Sequence, residues 1–367
     1  MNGKKVVVGL SGGVDSSVAA ALLLAQGYEV HGVYLECYNE PGCRTDQDKA
    51  DALKVAIKLG ISFEVLDFRK EYKENVVEYF YREYGAGRTP NPDVMCNREI
   101  KFGIFYDWAM AQGYDFVATG HYVRIREVPQ LHSDTVTLYL QRARDESKDQ
   151  SYFLCQIPSD HLDHILFPLG EMLKTEVREK AHELGLSTAS KPDSMGICFI
   201  GEVNVNKLLK DRLGEKDGEV IIKLSSNPVS QYSSVGSHKG LWFHTIGERG
   251  GFEVDKSILK KLDMHPEKMG PLYVIGKNVD RNQLIVGSRE ETMRDWLEVM
   301  IHGRENLAPT GTEKLSLRIR NLGELAPIFK IVGNKIFLKE KIFGVAEGQS
   351  AVIYDENGVL VGSGIIV

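Results

Sequence analysis

Residues 4–27 constrain this chain more than any other stretch. Lys4-Lys5-Val6-Val7-Val8-Gly9-Leu10 reads as a buried strand, Ser11-Gly12-Gly13-Val14-Asp15-Ser16-Ser17 follows it directly, and Val18 to Gln26 reads as a helix that Gly27 ends. A strand, a double-glycine turn and a helix start form a site for a phosphate. Glycine lets backbone approach the ligand closely, the N–H groups of a first helical turn have no carbonyl partners, and the helix dipole favours negative charge there. Ser11, Ser16 and Ser17 add hydroxyl donors, and Asp15 adds a carboxylate suited to Mg²⁺. No Gly-Lys-Ser/Thr follows, so this is not the Walker loop, and the third glycine of the dinucleotide fingerprint is missing.

A chain of 367 residues has room for two or three domains, each with its own core. The hydrophobic fraction of 43% and charged fraction of 26% are those of an ordinary globular protein. No apolar run is long enough to span a bilayer and the N-terminus shows no signal-peptide pattern, so a cytoplasmic protein without membrane association is expected. The five cysteines are Cys37, Cys43, Cys96, Cys155 and Cys198; an odd count at irregular spacing is no secreted disulfide framework, and no Cys-x-x-Cys occurs. A net charge of −6 does not advertise nucleic-acid binding but leaves room for a local basic surface.

Further along, strands are expected at Glu29–Leu35, Ser62–Leu66 and Phe116–Thr119, and helices at Gln47–Leu59, Tyr72–Tyr84 and Ile100–Ala111. This alternation implies an α/β domain with a parallel sheet, its ligand at the carboxyl ends of the strands. Two long loops interrupt it, Cys37–Asp46 and Gly85–Arg98; the prolines and glycines of the second argue against regular structure. Beyond about Gly201, short strands are expected at Glu219–Leu224, Leu241–Thr245 and Leu272–Ile275, with Ile258–His265 helical. After Trp296 come short strands at Leu315–Ile319, Ile328–Val332, Lys335–Leu338, Ser350–Tyr354 and Val359–Val367, with hairpin signals at Gly333-Asn334 and Asn357-Gly358, a pattern suggesting a small β-barrel. The expected units are residues 1–201, 202–270 and 271–367.

Ser-Gly-Gly-Val-Asp-Ser at 11–16 resembles the PP-loop of the ATP pyrophosphatases, which split ATP between the α- and β-phosphates. Gly-Arg-Thr-Pro-Asn-Pro-Asp at 87–93 with Cys96-Asn97, Ala-Thr-Gly-His-Tyr at 118–122, and Lys-Asp-Gln-Ser-Tyr-Phe-Leu at 148–154 follow in order. Gly-Ile-Cys-Phe-Ile-Gly at 196–201, His-Thr-Ile-Gly-Glu-Arg at 244–249 and Gly-Gln-Ser-Ala-Val at 348–352 complete the series. Together these motifs resemble the bacterial tRNA-specific 2-thiouridylases over nearly the whole chain. The resemblance implies a PP-loop ATP-pyrophosphatase domain, a small central domain and a C-terminal tRNA-binding β-barrel. It implies ATP- and Mg²⁺-dependent 2-thiolation of the wobble uridine of tRNA.

By the same resemblance, Gly9, Leu10, Ser11, Gly12, Gly13, Val14, Asp15 and Ser16 would hold ATP, with Leu35 and Gly120. Asn91, Pro92 and Asp93 would receive the target base, which an enzyme acting on it must take out of the stack. Asp93 would also move protons, Cys198 would carry sulfur as a persulfide, and Cys96 would be the second thiol, leaving a Cys96–Cys198 disulfide after transfer. Lys148, Asp149 and Gln150, with Arg318, Ile319 and Gln349 of the barrel, would contact the tRNA anticodon stem-loop, and His121 would contact RNA or ATP. Arg318 and Arg320, on alternate positions of an expected strand, would face one side. A cysteine desulfurase or relay protein would supply the sulfur. The runner-up enzyme reading is an ATP-dependent amide- or C–N-bond-forming ligase of the same loop family; a non-enzymatic alternative is a tRNA-binding protein that kept the nucleotide fold. His161 and His164 read as surface residues rather than metal ligands.

Overall fold

A computed structural model of the chain describes residues 3–38, 45–129, 136–193, 204–224, 232–264, 270–301 and 314–367. Cys43 and Cys198 lie outside these residues. The first unit is built on β1 (Lys5–Gly9), α1 (Val14–Ala25), β2 (Glu29–Glu36), α2 (Thr45–Leu59), β3 (Ser62–Asp67) and β4 (Phe116–Ala118). The hairpin β5 (Val123–Pro129) and β6 (Val136–Arg142) and the short β7 (Ile165–Leu166) follow. The sheet order is β3-β2-β1-β4-β7, all parallel. Val6, Val7 and Val8 are wholly buried, as a central strand covered on both faces requires. The chain runs outward from β1 to β3 and returns to β4 on β1's other side, so strand order reverses beside β1. A crevice opens at such a reversal, at the carboxyl ends of the strands.

The second unit holds β8 (Gly218–Lys223), β9 (Tyr232–His238), β10 (Glu253–Val254), β11 (Tyr273–Asn278) and β12 (Gln283–Gly287), in the order β10-β9-β8-β12-β11. The third is a closed barrel of β13 (Met293–Ile301), β14 (Ser316–Arg318), β15 (Ala326–Val332), β16 (Lys335–Phe343), β17 (Ser350–Tyr354) and β18 (Leu360–Ile366). Leu297, Val299, Ile336 and Ile353 are in its core. Both hairpin signals sit at turns, with Gly333 and Gly358 at φ +59° and +74°.

Several local expectations change. A barrel start at 271 places β11 and β12 in the barrel, but β12 pairs in parallel with β8 and β11 pairs with β12, so both strands belong to the central sheet. Leu241–Phe243 is a short 3-10 turn rather than a strand. The second long loop is shorter than expected, because Pro92–Cys96 is helical and continues into a wide helical stretch, Asn97–Ile104. Pro92 does not break this helix. It stands in the first turn, where its missing N–H costs nothing, and Asn91 caps the helix by accepting from Val94 N at 3.2 Å.

Candidate functional site

The turn after β1 has the geometry of an anion cradle. Gly12 adopts φ +74°, and a Cβ on it would overlap the Asp48 carbonyl, so only glycine fits. Ser17 Oγ donates to the Gly13 carbonyl at 2.7 Å, and Ser11 N donates to Ser16 Oγ at 3.1 Å, which fixes the turn from within. The first-turn N–H groups of α1 are left for a ligand. Gly120, just after β4, lies against this turn, where a Cβ would sit 2.6 Å from Ser16 N. The two glycine sites are thus one surface, brought together by the β1–β4 pairing.

Two lysines that the sequence does not single out complete it. Lys174 Nζ lies 2.7 and 2.8 Å from the two Asp15 oxygens and 2.8 Å from Asp193. Tyr122 also donates to Asp15, at 2.7 Å, and burial and that carboxylate both push the phenol upward. Lys191 Nζ binds the Gly12 carbonyl at 2.8 Å together with Asp48 and Asp51 at 2.7 and 2.8 Å. Nothing in local sequence marks these two among the chain's other basic residues; the Lys174–Glu183 helix and the segment after it bring them back to the turn. Burial works against the Asp193 charge, but hydrogen bonds from Lys148 and Lys174 prevail and hold its carboxyl at about 2.

These groups fit a nucleotide's phosphates better than a bare cation. Asp15 is already engaged by an ammonium, and no cluster of three His, Cys, Asp or Glu that could hold a metal occurs among the described residues. Asp15 is the one carboxylate of the 11–16 turn itself, so it is the residue that could hold Mg²⁺ beside a bound nucleotide.

The 92–96 helix carries the second group of candidates. Asp93 and Cys96 are three residues apart, a spacing that puts two side chains on one face within about 5–6 Å between Cβ atoms. Asp93 also stands in the first turn, where the helix dipole favours a carboxylate. Cys96 is fully buried, in the core cluster that also takes Leu35, Cys37 and Met95. Cys96 therefore does not stand exposed, and its sulfur must be uncovered before it reacts. Leu35 places its side chain in this core too. Beside Cys96, Asn97 donates to the Phe153 carbonyl at 3.2 Å while its Oδ1 is buried without a partner among the described residues. Cys155 is buried as well, and burial pushes its thiol up to about 12.

The remaining candidates divide. Lys148 reaches Asp193 at 2.8 Å and so joins the lysine network of the turn. Gln150 is tied to the Tyr122 backbone, its side-chain oxygen accepting from Tyr122 N at 2.9 Å. His121 bonds Thr119 at 2.7 Å, and burial, then Lys101, keeps its ring well below the usual histidine range and neutral. Asp149 and Arg318 do not face solvent: they are 0% and 4% exposed and bond each other at 2.7 Å. Arg320 is exposed, so the two arginines do not share a face; β14 ends at Arg318 and the chain turns there. The Ile319 carbonyl accepts from Tyr152 at 3.1 Å, and Gln349 Nε2 donates to the Thr89 carbonyl at 2.8 Å, just before Asn91. His161 stacks on Tyr106 with ring centroids 3.9 Å apart, and no metal-ligand cluster surrounds it among the described residues. Cys198 lies outside the described residues, five positions beyond Asp193.

Three family models cover the chain: a tRNA methyl transferase HUP domain at 4–202, a tRNA methyl transferase PRC-barrel domain at 206–288 and an aminomethyltransferase β-barrel domain at 300–366. The chain is 40% identical over 371 residues to a tRNA-specific 2-thiouridylase MnmA of Akkermansia muciniphila, covering 98% of each sequence. It is 38% identical over 379 residues to that of Acinetobacter baumannii, covering 99% of this chain and 97% of the other. A solved U34-tRNA thiolase NcsA from Methanococcus maripaludis aligns at a TM-score of 0.35 and 20% identity, over 57% of this chain and 64% of that one, too weakly to bear on function.

Proposed function

The chain belongs to the tRNA-specific 2-thiouridylase family, and from that premise we propose that it replaces the C2 oxygen of the tRNA wobble uridine with sulfur at the expense of ATP. The observation that carries this reading is the 92–96 helix, which presents Asn91, Pro92 and Asp93 at its start and Cys96 one turn later on Asp93's face.

An amide-like carbonyl is a poor electrophile with a poor leaving group. Its oxygen attacks the α-phosphorus of ATP bound at 9–16 and Gly120, and pyrophosphate leaves. Lys174 and the first-turn N–H groups of α1 neutralise the departing charge. Bound Mg²⁺ would add further charge neutralisation among the phosphates. The terminal sulfur of a Cys198 persulfide then attacks C2. The Cys96 thiolate attacks the inner sulfur, breaking the S–S bond, and AMP leaves from C2 with the former oxygen. The base keeps the sulfur, and Cys96 and Cys198 are left as a disulfide that an external thiol reduces. Asp93 takes and returns the protons of these steps. The scheme requires Cα atoms closer than about 7 Å at Cys96 and Cys198. Asp193, tied to the glycine turn through Lys174, is the last described residue before Cys198, and five residues of chain span at most about 18 Å. On this reading a protein persulfide supplies the sulfur and the reaction runs in the cytoplasm; no helix among the described residues is long and apolar enough to cross a membrane.

The test is product analysis with purified enzyme, tRNA, ATP, Mg²⁺ and a persulfide donor. AMP and pyrophosphate should form only when tRNA is present, and Cys198→Ser should stop sulfur transfer. Release of ADP, or the same sulfur transfer by Cys198→Ser, would refute the scheme.

A further inference from the structure

We infer that Lys277, on β11 of the central sheet, is a positioning residue for sulfur transfer: it fixes the 86–91 turn and so aims the helix that carries Asp93 and Cys96. The inference rests on the reading of that helix given above.

Residues 86–91 are where the three units meet. Lys277 Nζ donates to the Gly87 carbonyl at 2.7 Å, and Thr89 Oγ1 lies 3.3 Å from Thr245 Oγ1, both partners coming from the central unit. From the barrel, Glu347 O accepts from Thr89 N at 2.8 Å, and Gln349 Nε2 donates to the carbonyls of Thr89 and Pro90 at 2.8 and 3.3 Å. The next residue is Asn91, the helix cap.

Lys277 is the charged member of this set. Burial lowers its ammonium to about 8, while Glu248 and Glu347 hold it up. Among the described residues its hydrogen bond goes to Gly87 alone. An apolar side chain of similar volume would fill the space without the desolvation penalty, so packing does not account for a lysine here. What the ammonium adds is a charge-assisted bond, stronger than a neutral one, to the peptide four residues before the cap. The start of the turn is also tied to the helix before it, through Gly87 N to Tyr84 O, Arg88 N to Glu83 O and the Arg88–Glu83 pair at 2.6 Å. Without Lys277 the turn keeps those local ties and its barrel contacts but loses its charged tie to the central sheet, leaving one hydroxyl contact there to hold its angle, and with it the Asn91–Val94 bond. The ATP cradle does not depend on it, since none of the bonds that form the 11–16 turn involves β11.

The test uses full-length enzyme with tRNA, ATP and a persulfide donor, comparing wild type, Lys277→Met and Lys277→Arg. In Lys277→Met, kcat for thiolation should fall by on the order of tenfold to a hundredfold, the cost of a misaimed reacting group. KM for ATP should stay at the wild-type value, the melting temperature should not fall, and Lys277→Arg should recover most of kcat. Alkylation of Cys96, mapped by peptide mass, should quicken in Lys277→Met and stay slow in Lys277→Arg. Wild-type kcat and Cys96 labelling in Lys277→Met would overturn the inference, as would a loss of kcat matched by loss of ATP affinity or fold. A wild-type enzyme that makes no thiouridine would instead overturn the reading on which it rests.

Discussion

Arg318→Met should lower the stability of the folded protein by about 3–5 kcal/mol, the usual cost of removing one partner from a buried ion pair. Arg318 Nη1 lies 2.7 Å from Asp149 Oδ2, and both side chains are out of water. Asp149 also accepts from Ala143 N and Ser151 N at 3.2 Å each, so it cannot turn away toward solvent once the arginine is gone. Arg142 Nε, 3.4 Å from the same oxygen, softens the loss without replacing a direct bond. The pair joins the 142–151 segment of the first unit to β14, so its loss should also loosen the barrel. Denaturant unfolding measures the effect. Adding Asp149→Asn to Arg318→Met should recover part of it, since the stranded charge is then removed, giving a coupling of on the order of 1–3 kcal/mol in a double-mutant cycle. Additive effects would mean that the pair is not coupled in solution.

Lys174→Met should cut the rate of tRNA-dependent pyrophosphate release by about a hundredfold to a thousandfold, the range seen when one preorganised donor to a developing anion is removed. In the free protein Lys174 stands between Asp15 and Asp193. When triphosphate arrives, its oxygens compete for the same ammonium. Without the lysine, Asp15 and Asp193 add repulsion to the loss of attraction. Lys174→Arg should retain part of the rate, because the charge persists while the reach and shape change. Initial-rate measurement of pyrophosphate at saturating ATP decides it. An unchanged rate in Lys174→Met would reduce the lysine to a structural tie.

The glycine turn was legible because everything it needs is local: a valine strand, two glycines and an alanine-rich helix in succession. The hairpin glycines at 333 and 358 were legible for the same reason, since positive φ is a property of the residue itself. The lysines at 174 and 191 were not. Each acts on the turn across more than a hundred and fifty residues of chain, and a lone lysine carries no sign of where the fold will take it. Asp149 and Arg318 mislead in the other direction, because charged residues are normally exposed and only their pairing explains their burial. The 92–96 helix was hidden by reading Pro92 as a breaker, when Asn-Pro is also the signature of a helix start. Similarly, the parallel pairing of β12 with β8 places two strands in the central sheet that proximity in sequence assigns to the barrel.

The measurement closest to the main claim is the mass of the wobble nucleoside, digested from tRNA after incubation with this enzyme, ATP, Mg²⁺ and a persulfide donor. Uridine carrying one sulfur in place of its C2 oxygen, formed in proportion to the AMP released, is the expected product. Unmodified uridine in the presence of a competent donor, or sulfur at another ring position, would contradict the account.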